Sequence, residues 1–327
     1  MTKRVTLMFM ALSALPALAQ EGPPPVVVVG IDQATQDELG AFGGSYRAHH
    51  DDLIRRLNEA GVKGIGFDIS FSENPDYAAE TRTLARVAGA SRAPVVIATY
   101  SEEGADGELQ VYPNADAFER AGVRQASIRA QGELILEGGL PAAQRELAAA
   151  RREGREVALD LRVGEYSIVR NAGGQPALVE QLAAATGLAT PEQVPSEQLP
   201  VGLRQNPDTG ELELVTVEAI RPGASDPDAI TTVSYVDVLE GRVDPELLRG
   251  AVILVGMTDG VQDVIESPNP DGAPALERIP GVYLHAFGLQ RAIAAGAERP
   301  RRAVKPRVST STRCGGTCGL VGGLSGS

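Results

Sequence analysis

Several ingredients are scarce in this 327-residue chain. It has no Trp, and aromatic residues make up only 4% of it. A hydrophobic core therefore has to be built from Val, Leu, Ile and Ala. Cysteine occurs only at Cys314 and Cys318, in the segment TRCGGTCGL near the C-terminus. The body of the chain thus has no disulfide and no cysteine nucleophile, and its stability has to come from packing. A C-x-x-x-C pair in a Gly/Ser/Thr-rich tail, with no further ligands nearby, does not make a zinc site. No G-x-G-x-x-G follows a strand and there is no P-loop. Ser70, Ser234 and Thr258 do not sit in a G-x-S-x-G nucleophile turn. Positive charge is short as well. The net charge is −13, and the residues from Pro300 onward carry five basic groups and no acid, which leaves −18 on the rest. An acidic body lacks the basic face that nucleic acid requires and is repelled by anionic lipid.

With 43% apolar and 22% charged residues, the composition is that of a globular protein. The N-terminus has Lys3 and Arg4 before an apolar run over 5–15, then Pro16 and an Ala17-Leu18-Ala19 cleavage pattern. This predicts a secretory signal peptide over residues 1–19. The run is shorter than the roughly 20 residues that span a bilayer. An uncleaved anchor and an ordinary buried helix are the alternatives. EGPPP, over 21–25, is a stiff linker.

The most informative feature follows it. VVVVGID, over 26–32, and GIGFDISF, over 64–71, are apolar strands that each run into an aspartate, Asp32 and Asp68. Between them, 49–60 places Leu53, Ile54 and Leu57 on one stripe and ends at Gly61, the pattern of an amphipathic helix with a glycine stop. This reads as a parallel βαβ unit with the two strands side by side. Residues 33–47 read as a loop with one helical turn. A helix over 76–88 and a strand over 93–100 extend the series to β-α-β-α-β. Residues 101–215 read as a variable insertion, with a helix over 138–155, a strand in VALDLRVG, a helix ending at Gly187 and a hairpin turning near Asp208-Thr209-Gly210. Regularity returns with a helix over 234–240, a short helix in DPELLRG and an apolar strand over 251–256. A loop follows, and then a last helix with Pro280 near its first turn and a stripe of Val282, Leu284, Phe287, Leu289 and Ile293. The predicted fold class is α/β, a mainly parallel central sheet flanked by helices, with a variable α+β insertion. Residues 300–327 have no apolar periodicity and are expected to be disordered.

Ligands of parallel sheets sit at the carboxyl ends of the strands. Asp32 and Asp68 are expected to point into one crevice there, with Asp263 and Thr258 as further candidate ligand-binding residues. Two readings stay open. The acids form a polar pocket for a small cationic or hydroxylated ligand or a divalent metal, or each caps a helix or pins a loop. Converging acids raise one another's pKa unless a cation intervenes, for which Lys63, Arg47 or a bound ion would serve. His285 is expected to be a packed core residue, and His49-His50 to mark a helix start and not a metal site. No cofactor, resident metal or catalytic residue is expected. A phospho-acceptor reading of GIDQAT fails because Ala34 stands where a second acid is needed.

Four stretches carry a resemblance. They are VVVVGIDQATQDELGAFG, HHDDLIRRLNEAGVKGIGFDISFSE, TTVSYVDVLEGRVDPELLRGAVILVGMTDGVQDVIESP and IPGVYLHAFGLQRAI. In this order the chain resembles the second CHASE family of extracellular sensory domains, from about residue 26 to residue 295. The resemblance implies a sensory domain over 23–299 in the bacterial periplasm or outside the cell. It implies a non-catalytic input module that recognises a small-molecule or protein signal and shifts the terminal helix. Homodimerisation is left open, nucleic acid is not a partner, and a membrane is met only through missing or uncleaved segments. Family members normally continue into membrane helices and a cytoplasmic output module. Here the tail reads either as the end of a secreted stand-alone form or as a truncated or frameshifted remnant, and the abrupt change at Pro300 favours the remnant. The functional alternatives are a secreted metal-assisted hydrolase using the strand-end Asp residues, and an interaction module whose crevice is filled and dry.

Overall fold

The structure, a computed structural model, describes residues 22–103, 109–157, 159–223, 226–259, 264–268 and 276–298. The expected signal peptide, the expected disordered tail and Asp263 lie outside them. The first apolar run forms β1 (Val26–Ile31), buried at every position. It is followed by α1 (Gln33–Leu39), α2 (Tyr46–Ala60), β2 (Gly64–Phe67), α3 (Ala78–Gly89) and the long strand β3 (Val95–Glu103). Next come β4 (Leu109–Tyr112), α4 (Asp116–Arg120), β5 (Arg124–Ser127), β6 (Ala130–Leu136), α5 (Gly139–Glu153) and β7 (Leu161–Val169). A minimal hairpin of β8 (Asn171–Ala172) and β9 (Gln175–Pro176) leads to α6 (Leu178–Ala185), then β10 (Glu197–Gln205) and β11 (Leu212–Ile220). The last described part holds β12 (Thr231–Ser234), α7 (Tyr235–Leu239), α8 (Pro245–Leu248), β13 (Val252–Met257), β14 (Val264–Pro268), β15 (Leu276–Pro280) and α9 (Gly281–Glu298).

The central sheet is mainly parallel, as expected. Its order is β12-β1-β13-β2-β3, with β5 on the far side of β3 and β4 antiparallel to the outer end of β3. One expectation is corrected here. β1 and β2 run in the same direction but are not neighbours, because β13 lies between them. Its register joins Val26↔Val252 on one side and Val252↔Gly64 on the other. A strand as apolar as VILVGM is driven to a place covered on both faces and flanked on both edges. Local sequence pattern reports direction and burial but not which strand is adjacent.

Alternation splits the core into two layers. Val27, Val29, Ile31, Ile65, Phe67, Ile253 and Val255 pack towards α2, α3 and α7. Val26, Val28, Val252 and Leu254 pack towards α6 and α9. Each fully buried Val, Leu or Ile adds about 1.5–3 kcal/mol of transfer free energy. The helix around Leu53, Ile54 and Leu57 forms as predicted and closes on Gly61, at φ 78°. The segment after Asp32 is more regular than expected, a two-turn helix capped by that aspartate. The region 101–215 is not a single appendage. It contributes β5 to the parallel sheet and α6 to its face, while β10-β11-β7-β6 form a separate antiparallel sheet.

Candidate functional site

At the carboxyl ends of the central strands, two neighbouring strands present glycine. Gly30 of β1 stands beside Gly256 of β13. Asp68 follows Phe67 and anchors to the same strand, its N–H donating to the Val255 carbonyl at 2.8 Å. A Cβ on Gly256 would fall 2.8 Å from the Val282 Cβ and 3.2 Å from the Asp68 Cβ. The glycine therefore lets the first turn of α9 settle onto the sheet directly beside Asp68. His285, one turn further along α9, brings its Nε2 to 3.8 Å from Asp68 Oδ1.

Above this carboxyl opens a cavity of about 430 Å³. Asp68 lines it from the end of β2, Ser101 from the extension of β3, and Arg129 from the link between β5 and β6. Tyr166 of β7 and Gly281 and His285 of α9 also line it. The cavity thus sits where the parallel sheet, the antiparallel sheet and the last helix meet.

Asp68 is chemically conspicuous. Its side chain is 1% exposed, and neither carboxyl oxygen receives a hydrogen bond from a described residue. The separation from His285 is too long for a hydrogen bond. Burial alone pushes the pKa of Asp68 from 3.8 up to about 7. The Ser101 hydroxyl is likewise buried without a hydrogen bond among the described residues. A buried polar group left unsatisfied costs about 1–3 kcal/mol, so three such atoms facing or bordering one cavity require an explanation.

A family model described as the CHASE2 domain matches residues 4–324. The chain belongs to the CHASE2 domain family. CHASE2 domains are extracellular sensory domains of signal-transduction proteins. No curated protein and no solved structure matches the chain.

Within this CHASE2 domain the sequence-predicted residues part company. Asp68 lines the cavity; Asp32 and Thr258 do not. Asp32 serves as the N-cap of α1, its Oδ1 accepting from Thr35 N (2.8 Å), Thr35 Oγ1 (2.7 Å) and Ser234 Oγ (3.0 Å). A whole strand stands between β1 and β2, and the Asp32 carboxylate is taken up by the cap of its own helix. Thr258 lies against Gly30, its Oγ1 buried and without a hydrogen bond among the described residues. Lys63 precedes β2, at the end opposite Asp68, and Arg47 lies under the other face, so neither is a counter-charge for that acid. His285 is buried as expected but also forms part of the cavity wall. Ser101, Arg129 and Tyr166 were not predicted. They come from a stretch with no alignable motif, and only the folding of β3, β6 and β7 around the strand ends gathers them. Among the described residues, no three of His, Cys, Asp and Glu gather in a metal-binding arrangement. Nor is any helix among them long and apolar enough to cross a membrane.

Proposed function

We propose that this CHASE2 domain is an exported, periplasmic and non-catalytic input module. It recognises a small hydrogen-bond-donating ligand, a primary amine or polyol, in the cavity at Asp68. The observation that carries this reading is the carboxyl with two buried oxygens and no hydrogen-bond donor among the described residues. A ligand ammonium supplies both the missing donors and a counter-charge, and an opposite charge within about 4–6 Å favours the ionised carboxylate. Binding an amine then releases the proton that Asp68 holds. Gly281 and His285 belong at once to the cavity wall and to α9. A ligand that bridges them to the end of β2 stabilises one seating of that helix, by the difference in its affinity for the two seatings. The signal pattern at the N-terminus and the family support export. The hydrolase alternative gathers Asp32, Asp68 and Asp263 on one metal. The intervening strand and the three hydrogen bonds on Asp32 Oδ1 speak against it.

The test is a thermal-shift screen of primary amines, amino acids and polyols at pH 8 and pH 6. Hits are expected to raise the melting temperature of the native protein and of Asp32→Asn, but not of Asp68→Asn. Amine affinity is expected to fall about tenfold per pH unit below 7, as Asp68 takes up its proton. Hits that Asp68→Asn retains in full, or a screen without hits, would refute the reading.

A further inference from the structure

On the face of the sheet opposite α9 lies a second cavity, of about 250 Å³, between the loop that enters α2 and the segment that leaves β2. Its charged wall is Arg47, in the first turn of α2 and only 8% exposed. The guanidinium donates to the carbonyls of Gly44 (3.3 Å) and Ser72 (3.0 Å). Its Nε is buried and donates to nothing among the described residues. No carboxylate among those residues comes within 4.0 Å of it. Burial pulls the guanidinium below its ordinary pKa, with Tyr77, Glu73 and Glu80 opposing from farther off. A buried cation whose hydrogen bonds among the described residues go to neutral carbonyls is a costly arrangement, because removal from water is offset best by a paired charge.

The remaining wall is of two kinds. Phe42, Ile69 and Phe71 are apolar, and His50, Ser70 and Asn74 are polar. The guanidinium also stands over the rings of Phe71 (6.0 Å) and Tyr77 (5.8 Å), which holds its plane in place. A fixed guanidinium fork matches the two oxygens of a carboxylate, and the aromatic wall suits an apolar body attached to it. We infer that this cavity binds a small organic acid, its carboxylate on Arg47 and its apolar part against Phe42 and Phe71. The site is separate from the Asp68 cavity and does not rest on the reading given for it. Inorganic phosphate would leave the aromatic wall unused.

Calorimetric titration of the full chain with benzoate, and separately with inorganic phosphate, tests the assignment. Benzoate is expected to bind and phosphate to bind at least tenfold more weakly. Ser70→Asp, at an exposed position on the cavity wall, places a carboxylate opposite Arg47. It is expected to weaken benzoate about tenfold or more while the protein stays folded. Arg47→Lys keeps the charge, removes the fork and is expected to lose affinity similarly. Asp68→Asn is expected to bind benzoate as the native protein does. Absence of benzoate binding, unchanged affinity in Ser70→Asp, or phosphate binding as tightly as benzoate would overturn the proposal. Should Arg47→Lys fail to fold, Ser70→Asp still decides.

Discussion

Asp68 and His50 are both buried, and they give stability opposite dependences on pH. Asp68 titrates near 7 in the folded protein against 3.8 unfolded, so the folded state holds its proton more tightly. Its contribution is full below about pH 4 and is lost as the pH rises through 7. Three pKa units correspond to about 4 kcal/mol, an upper bound because the cavity admits water. His50 hydrogen-bonds the Tyr235 hydroxyl through Nδ1 at 2.8 Å, and burial, then His49 and Arg47, pull it down to about 3. Unfolded, it takes up a proton near 6.5, so its contribution is lost as the pH falls from there towards 3. Between about pH 4 and 6.5 the two slopes offset one another. Asp68→Asn removes one of them. Urea unfolding is expected to show the variant more stable than the native protein at pH 8, by up to about 4 kcal/mol, with the advantage shrinking at pH 5. An advantage equal at both pH values would mean that Asp68 titrates normally. At this scale the sequence points to two acids, of which Asp68 lines the cavity and Asp32 caps α1. An aspartate after an apolar strand is visible in the chain, whereas whether it caps a helix, as Asp32 does, or faces a void depends on residues more than 200 positions away.

The elements themselves were readable where burial leaves a periodic trace. β1, β13, α2 and the hairpin of β10 and β11 all stand close to their predicted places. The edge strand β12 escaped, because TTVS is short, polar and paired on one side only. α1 escaped because its seven residues bury only Thr35. How α9 meets the sheet rests on Gly256, whose lack of a side chain admits Val282 and Asp68 together. Gly256→Ala would force the helix outward, since packed cores absorb added methyl groups at a cost of about 1–3 kcal/mol. The expected result is a lower melting temperature together with a weakened response to the amine or polyol hits. A variant that loses stability yet keeps the full ligand response would show that the cavity does not depend on how α9 is seated.

For the molecule as a whole, Arg170 ties the antiparallel sheet to the rest. From the end of β7 its Nε reaches Glu180 of α6 at 2.7 Å and its Nη1 reaches Glu218 of β11 at 2.6 Å. Glu180 is only 3% exposed. Arg170→Gln strands that carboxylate, and breaking a buried pair from one side costs about 3–5 kcal/mol. Hydrogen exchange is expected to quicken in β10 and β11 before it does so in β1 and β13; uniform quickening would count against this division. Such long-range ties leave no local mark in a sequence, which is why residues 101–215 read as an insertion although β5 and α6 are integral to the core. The position of β13 has a temporal consequence. Translation delivers β1 and β2 within the first 70 residues, yet the strand that joins them arrives some 180 residues later. Until then the nascent chain holds two borders around a vacant slot. A polypeptide cut short of Val252 lacks the middle strand of its sheet.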